Sequence, residues 1–341
     1  MTEQIPFDNQ ATDNFLEKAD SLGLDNARLV EMLKTMLRIR LFEEKANELY
    51  ALGKVHGTMH LSAGQEATAV GTGFAVRKGD YLINHHRGHG HFIASGADLE
   101  KMMAEFLGKD TGYCRGRGGS MHIADVTSNN LGANGIVGGS LQLAVGVGLA
   151  AKMRKEDRIV LTLFGDGASN EGIFHESLNM AKIYDLPILY ICENNQYGMS
   201  ASVNRVSART PFKYRAEAYN IPGYYVDGND VLAVYEFAKR GAEHARGGQG
   251  PFFIEFATYR YFGHSKSDRN LYRSKEEIDS WRTHRDPIIR FEGNLKDAGV
   301  IAGEEAKVME QEVVKEIDAA VKFAEESPEP DVATLEDFVY A

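Results

Sequence analysis

The sequence has little cysteine. Only Cys114 and Cys192 occur in 341 residues, so no disulfide framework is available and a reducing compartment is the default. It also lacks a basic surplus: Lys and Arg number 38 against 49 Asp and Glu, a net charge of −11. That balance gives no footprint for nucleic acid or an anionic membrane surface, although a few local cations suffice for an anionic cofactor. No apolar run reaches the length of a membrane span. The opening residues carry Glu3, Asp8, Asp13, Glu17 and Asp20, whereas a secretory signal is basic then apolar and a transit peptide is Arg-rich and acid-poor. The expectation is a cytoplasmic protein. Internal repeats and low-complexity segments are absent as well.

Apolar residues make up 43% of the chain, ample for a buried core. Glycine is plentiful, 35 residues against an ordinary share of about 7%. Many fall in three clusters: Gly112, Gly116, Gly118, Gly119; Gly132, Gly135, Gly138, Gly139; and Gly165, Gly167, Gly172. Such clusters suit loops that let backbone approach a ligand closely.

Leu29, Met32, Leu33 and Met36 repeat at helical spacing and predict a helix running to about Gly53. Ser62 and Gln65 read as a capping box opening a second helix through Gly71. A strand is expected at Tyr81–Asn84, and a helix rich in small residues from Leu141 to Met153, where Gly146 and Gly148 permit close packing. Ile159–Phe164 and Pro187–Cys192 are short apolar runs separated by a helix-length segment, a parallel strand–helix–strand unit. Another strand is expected at Phe252–Ala257. A long amphipathic helix around Met309, Val313 and Ile317 is stopped by Pro328 and Pro330. The alternation predicts an α/β fold, a doubly wound, mostly parallel sheet flanked by helices. The expected division is a polar tail (1–26), one domain (27–330) and a C-terminal tail (331–341).

The sharpest chemical signal is Gly165-Asp166-Gly167, followed after 26 residues by Asn194-Asn195. Each pair of motifs lies past the carboxyl end of an expected parallel strand, where open α/β sheets bind ligands. Asp166 and Asn195 offer hard oxygen ligands suited to Mg²⁺, which prefers few protein ligands plus phosphate oxygens and water. The flanking glycines keep Cβ atoms away from a diphosphate, and a helix starting near Ser169 would aim its free N–H groups at it.

GDG-x(26)-NN resembles the thiamin diphosphate motif. FGDGASNEGIFHE (164–176), ENNQYGM (193–199), GRGGSMH (116–122), NGIVG (134–138) and YRYFGHSKSD (259–268) are similar to the α subunits of 2-oxo acid and acetoin dehydrogenases, a likeness spanning about residues 27–330. The resemblance implies thiamin diphosphate and Mg²⁺ as cofactors. It implies Asp166, Asn195 and the Tyr197 carbonyl as metal ligands, and Gly167 and Ala168 as backbone contacts to the diphosphate. Arg87 and His264 match its side-chain partners, and a guanidinium fork suits phosphate geometry. Gly135 and Val137 match contacts to the aminopyrimidine, Met199 the side chain under the bent cofactor, and His60 a histidine near the substrate.

The same resemblance implies a β subunit in an α₂β₂ heterotetramer, with a lipoyl-bearing acyltransferase E2 as acceptor. The carboxylate that activates the cofactor would come from the β chain; Glu66 and Glu193 would be forced choices here. The polar stretch Gly263–Glu277 reads as a mobile loop carrying His264, and Ser265 and Ser267 match in position serines that are phosphorylated in mitochondrial relatives. His85-His86-Arg87-Gly88-His89-Gly90-His91 and Lys266 depart from the pyruvate-type pattern and favour acetoin over pyruvate, with branched 2-oxo acids third.

Two readings from other classes stand beside this one. A phosphate-ester hydrolase would use Asp166 and the clustered histidines for two metals, although Arg87 among them repels a cation. A regulatory protein would bind the cofactor without catalysis. Cys114 and Cys192 are read as structural.

Overall fold

A computed structural model describes residues 6–9, 14–337 and 339; residues 1–5, 10–13, 338 and 340–341 of the two expected tails lie outside the described residues. The centre is a six-stranded sheet. Its strands are β1 (Tyr81–His85), β2 (Asn130–Asn134), β3 (Val160–Gly165), β4 (Ile188–Asn194), β7 (Gly223–Asp227) and β8 (Phe252–Ala257). They lie in the order β2-β1-β3-β4-β8-β7, and every pairing is parallel. Two short strands, β5 (Tyr197–Gly198) and β6 (Ala201–Ser202), form a separate antiparallel hairpin.

Strand side chains alternate between faces, and both faces are buried. Val160, Phe164, Ile188, Tyr190 and Cys192 pack under the helices Gly139–Met153 and Gly172–Ile183. Leu161, Leu163, Leu189 and Ile191 pack under the helix Val231–Arg246. A further helical layer gathers Asn26–Ala51, Glu66–Ala75, Leu99–Phe106, Pro287–Asp297 and Glu305–Glu326 around a third core. Helix Glu66–Ala75 crosses Val231–Arg246 closely at Gly71, where a Cβ would stand 2.6 Å from Val234 Cγ1.

Several local expectations change. The stretch taken as a polar tail contains a helix, Phe15–Leu22, capped by Asn14 Oδ1 and docked through Ala19. Asp8 is also tied down, exchanging backbone and side-chain bonds with Tyr225 and pairing with Lys213. Ser62 and Gln65 form no capping box: the helix starts at Glu66 without a side-chain cap, and Ser62 donates instead to Glu43. Gly148 does allow close packing, a Cβ there meeting Ile188 Cγ1 at 3.0 Å, but Gly146 faces open space. After β3 the chain makes a 3₁₀ turn over Asp166–Asn170, and the helix begins at Gly172, not Ser169.

Apolar surface remains uncovered on the two helices over β3 and β4. Leu143, Met153, Met180 and Ile183 are exposed there, as are Ile136 and Val137 on the loop before the first.

Glu105, fully buried on the helix Leu99–Phe106, organises the first glycine cluster. Its carboxylate accepts from the backbone N–H groups of Cys114, Gly116, Gly118 and Gly119 at 2.7–3.0 Å. Close approach requires glycine: a Cβ on Gly112 would stand 2.4 Å from the carboxylate. Bonds to a charged acceptor are worth about 1.5–3 kcal/mol each. We therefore expect Glu105→Gln, which keeps shape but loses charge and an acceptor, to destabilise the chain by ~3 kcal/mol. Urea unfolding measures this, and a loss well under ~1 kcal/mol would mean the loop holds itself.

Candidate functional site

The strand order reverses between β1 and β3, because the chain leaves β1 outward to β2 and returns to β3. At such a switch point the loops after adjacent strands diverge and open a crevice. Four of these loops supply the site. Arg87 lies two residues past β1, Asp166 directly past β3, Asn195 directly past β4, and Arg260 and His264 follow β8.

Asp166 and Asn195 are both buried. Burial pushes the Asp166 carboxyl up to about 6, against the opposing pull of Arg260 and Arg87. The Asn195 amide nitrogen donates to Gln65 Oε1 at 3.3 Å, while its Oδ1 is buried without any hydrogen-bond partner. An unsatisfied buried acceptor is costly and asks for an occupant. The hairpin β5–β6 lies against the GDG turn at Gly198, where a Cβ would stand 3.2 Å from the Gly167 Cα and 3.5 Å from Asp166 Oδ2. Nothing lies within 4 Å of a Cβ placed on Gly165. The Tyr197 carbonyl takes a long contact, 3.4 Å, from Arg260 Nη1.

Arg87 and Arg260 are the second part of the cradle. Arg87 donates to the carbonyls of Leu61 (2.6 Å) and His264 (3.0 Å). Arg260 donates to the carbonyls of Phe262 and Met199 and to the Tyr272 hydroxyl. Among the described residues neither forms an ion pair, although each is almost completely buried. Burial and the neighbouring Arg260 push Arg87 down to about 9. Two desolvated cations without a carboxylate form a site for an anion.

His264 bridges them, its Nδ1 lying 3.4 Å from Arg87 and 3.5 Å from Arg260. Its ring lies 4.8 Å from that of His60, and His86 lies 4.5 Å from His60. Burial first, then the arginines, push His60 down to about 3 and His264 to about 4; burial and His85 push His86 further still. The three imidazoles are therefore neutral at pH 7, and His60 Nδ1 is buried without a partner. Their ring nitrogens lie within 4.8 Å of one another, but the adjacent guanidinium groups oppose a metal there.

The other expected residues are placed less centrally. Ala168 is buried within the turn, whereas Met199 is 66% exposed at the hairpin tip in a left-handed conformation (φ +56°). Gly135 packs on His122, and Val137 is half-exposed. Their loop reaches the site's flank through Gly138, where a Cβ would meet Ile173 Cγ2 at 2.7 Å. Glu66 is held by Arg40, and Glu193 by His85 and His91 at 2.9 Å and by Thr68. His89 joins Glu43 to the Ser120 carbonyl. The loop after His264 is folded around Asp268, which accepts from His264 N–H and the Tyr272 hydroxyl. Cys114 and Cys192 have thiols raised by burial, which suits structural cysteines.

Sequence reasoning missed Arg260 and Gln65 as site residues. Arg260 sits among aromatic residues in YRYFGH, and its position three residues past β8, on the same sheet edge as Asp166 and Asn195, is the signal that could have found it.

The fold and this edge define an α/β protein that presents buried cations and hard oxygen ligands to one crevice. The model of the Dehydrogenase E1 component family matches residues 34–333, and the chain belongs to that family. The α subunit of the acetoin:2,6-dichlorophenolindophenol oxidoreductase of Bacillus subtilis is 45% identical over 95% of this chain and 97% of its own. The pyruvate dehydrogenase E1 component α subunit of Rhizobium meliloti is 44% identical over 89% and 87%. A mitochondrial pyruvate dehydrogenase E1 α subunit of Ascaris suum is 45% identical over 89% and 76%.

Two measurements test this electrostatic account. Replacing Arg87 with Met removes an unpaired buried cation, so the ligand-free chain should gain about 1 kcal/mol in thermal or urea unfolding; a variant that unfolds more easily would mean the two carbonyl bonds outweigh desolvation. The pH test uses His60 and His264. Their folded pKa values lie below the ordinary 6.5, so between about 3 and 6.5 the unfolded chain binds more protons. Their contribution is complete above pH 6.5 and lost as pH falls toward 3. Relative to a His60→Asn/His264→Asn variant, the parent should lose roughly 1 kcal/mol per histidine between pH 6.5 and 5, after discounting for partial exposure. Parallel stability curves would show that the imidazoles are not perturbed.

Proposed function

We propose that this chain is the α subunit of a thiamin-diphosphate- and Mg²⁺-dependent dehydrogenase that cleaves acetoin to acetaldehyde and an acetyl group. The acetyl group passes to a lipoyl disulfide, which is reduced to a thiol and an S-acetyl thioester. The observation that carries the reading is the pairing of unlike halves in one crevice: Asp166 with the unpartnered Asn195 Oδ1, and the unpaired Arg87 and Arg260. A divalent cation satisfies the first half, a diphosphate the second. The acetoin substrate rests on the relative from Bacillus subtilis, which matches nearly the whole chain; pyruvate is the alternative, supported by the relative from Rhizobium meliloti.

Asp166, Asn195 and the Tyr197 carbonyl would hold Mg²⁺. Arg87, Arg260 and His264 would hold the diphosphate, with the backbone of Gly167 and Ala168 beside it. Gly135 and Val137 would meet the aminopyrimidine, and Met199 would support the cofactor from the hairpin tip. When bound, thiamin diphosphate supplies a nucleophilic carbon and an electron sink for breaking a bond next to a carbonyl. His60, kept neutral with a free Nδ1, can hold or exchange a proton at a substrate oxygen.

The two glutamates considered as activating acids support a second chain. Glu66 and Glu193 are both engaged internally, so the activating acid is assigned to a β subunit in an α₂β₂ assembly. The exposed apolar residues Ile136, Leu143, Met180 and Ile183 suit such a cover. Engagement of His85, His89 and His91 by Glu193 and Glu43 counts against the two-metal hydrolase. The acceptor is read as a lipoyl-bearing acyltransferase E2.

The test is co-expression with a β-type chain, then assay with thiamin diphosphate, Mg²⁺ and a dye acceptor on acetoin and pyruvate in parallel. Acetoin turnover requiring both chains is expected, and Asp166→Ala should lower it at least ~100-fold. Turnover of pyruvate alone would move the substrate to the alternative. No turnover of either, with no cofactor bound, would sink the reading.

A further inference from the structure

Asn194 and Asn195 are consecutive carboxamides at the end of β4, and the fold treats them differently. Asn194 has both ends engaged: its Nδ2 donates to Glu255 Oε1 at 2.7 Å, and its Oδ1 accepts from the Gln196 N–H at 3.1 Å. Asn195 has only its nitrogen engaged, on Gln65 Oε1 at 3.3 Å, while its Oδ1 is buried with no partner. A carboxamide keeps its shape when oxygen and nitrogen change places, but its polarity reverses. With the ends exchanged, N–H donors would stand where a cation needs an oxygen. Something must therefore fix which end is left free.

Gln65 is placed to do so. It is 2% exposed, one residue before the helix Glu66–Ala75. Its own carboxamide carries the same ambiguity, and the Ser62 carbonyl removes it. That oxygen can only accept, and Gln65 Nε2 donates to it at 3.4 Å, so Oε1 is the end left for Asn195. The Gln65 backbone is held as well, its N–H on the same carbonyl at 3.0 Å and its own carbonyl accepting from the Ala69 N–H at 3.3 Å. Ser62 in turn is anchored by its hydroxyl to Glu43 at 2.7 Å. The two carboxamide bonds are long, so their direction matters more than their strength. Turning Asn195 over would set its Oδ1 against Gln65 Oε1, two acceptors with no proton between them.

We propose that Gln65 is a positioning residue for the divalent cation: it sets the Asn195 carboxamide so that Oδ1, not Nδ2, is offered to the metal that Asp166 shares. This rests on the function proposed above. Polarity is relayed from a backbone carbonyl through one carboxamide to the next, so no reorientation is needed when the metal arrives. Partners that orient a ligand in this way govern metal affinity without touching the metal.

The experiment measures binding of Mn²⁺, a paramagnetic substitute for Mg²⁺, to the α₂β₂ assembly with thiamin diphosphate present, following free Mn²⁺ by electron paramagnetic resonance. Gln65→Met and Gln65→Leu keep much of the bulk but offer no acceptor, and the dissociation constant should rise ~10- to 100-fold. Asn195→Asp is the control background, because a carboxylate presents oxygen whichever way it turns. There Gln65→Met should change the constant by less than about threefold, whereas a packing role for Gln65 would carry over undiminished. A parental constant in the Gln65 variants, an equal loss in the Asn195→Asp background, or failure of both apolar variants to assemble overturns the proposal. A parent assembly that binds no Mn²⁺ overturns the function beneath it instead.

Discussion

Burying a guanidinium group without a carboxylate is among the more expensive choices a fold can make, and this one does it twice within a single crevice. Arg87 and Arg260 are satisfied by backbone oxygens instead. Those oxygens belong to different loops: Leu61 before the helix Glu66–Ala75, Met199 at the hairpin tip, Phe262 and His264 after β8. Each arginine therefore fastens several segments while keeping its charge. The low proton affinity of His60, His86 and His264 follows from burial beside these cations.

Buried carboxylates play the complementary part. Glu105 gathers four N–H groups of a glycine loop, Glu43 joins Ser62 to His89, Glu66 holds Arg40, and Glu193 sits between His85 and His91. Charged acceptors make stronger hydrogen bonds than neutral ones, and the Glu105 carboxylate thereby shapes a whole glycine loop. The four histidines around Arg87 thus divide into two groups. His85, His89 and His91 are held by acids, whereas His86 faces His60 and the free interior.

The parallel sheet and its edge were legible because they rest on short-range patterns. Buried strands are continuous apolar runs, so Phe252–Ala257 was read to the residue, and GDG and NN mark the ends of β3 and β4. β2 and β7 were not recognised: Asn130–Asn134 has only Leu131 and Ala133 as apolar residues, Gly223–Asp227 offers only the three-residue run Tyr224–Val226, and both are strands because neighbours pair with them. The helix Phe15–Leu22 was hidden among charges, since its burial depends on a surface built by residues far along the chain. Ser62 satisfied a capping pattern, yet Glu43, nineteen positions earlier, offered its hydroxyl a better partner. Arg260 was overlooked because its meaning lies in what it lacks, a counter-ion, and sequence does not show that.

The uncovered side chains on the helices over β3 and β4 have a consequence for biosynthesis. Ile136, Leu143, Met153 and Ile183 stay in contact with water after the fold is complete. Self-association through such a face rises steeply with the concentration of the chain. If the β chain proposed above covers it, the yield of usable protein depends on the timing and ratio of two syntheses as well as on how firmly this chain holds its own fold.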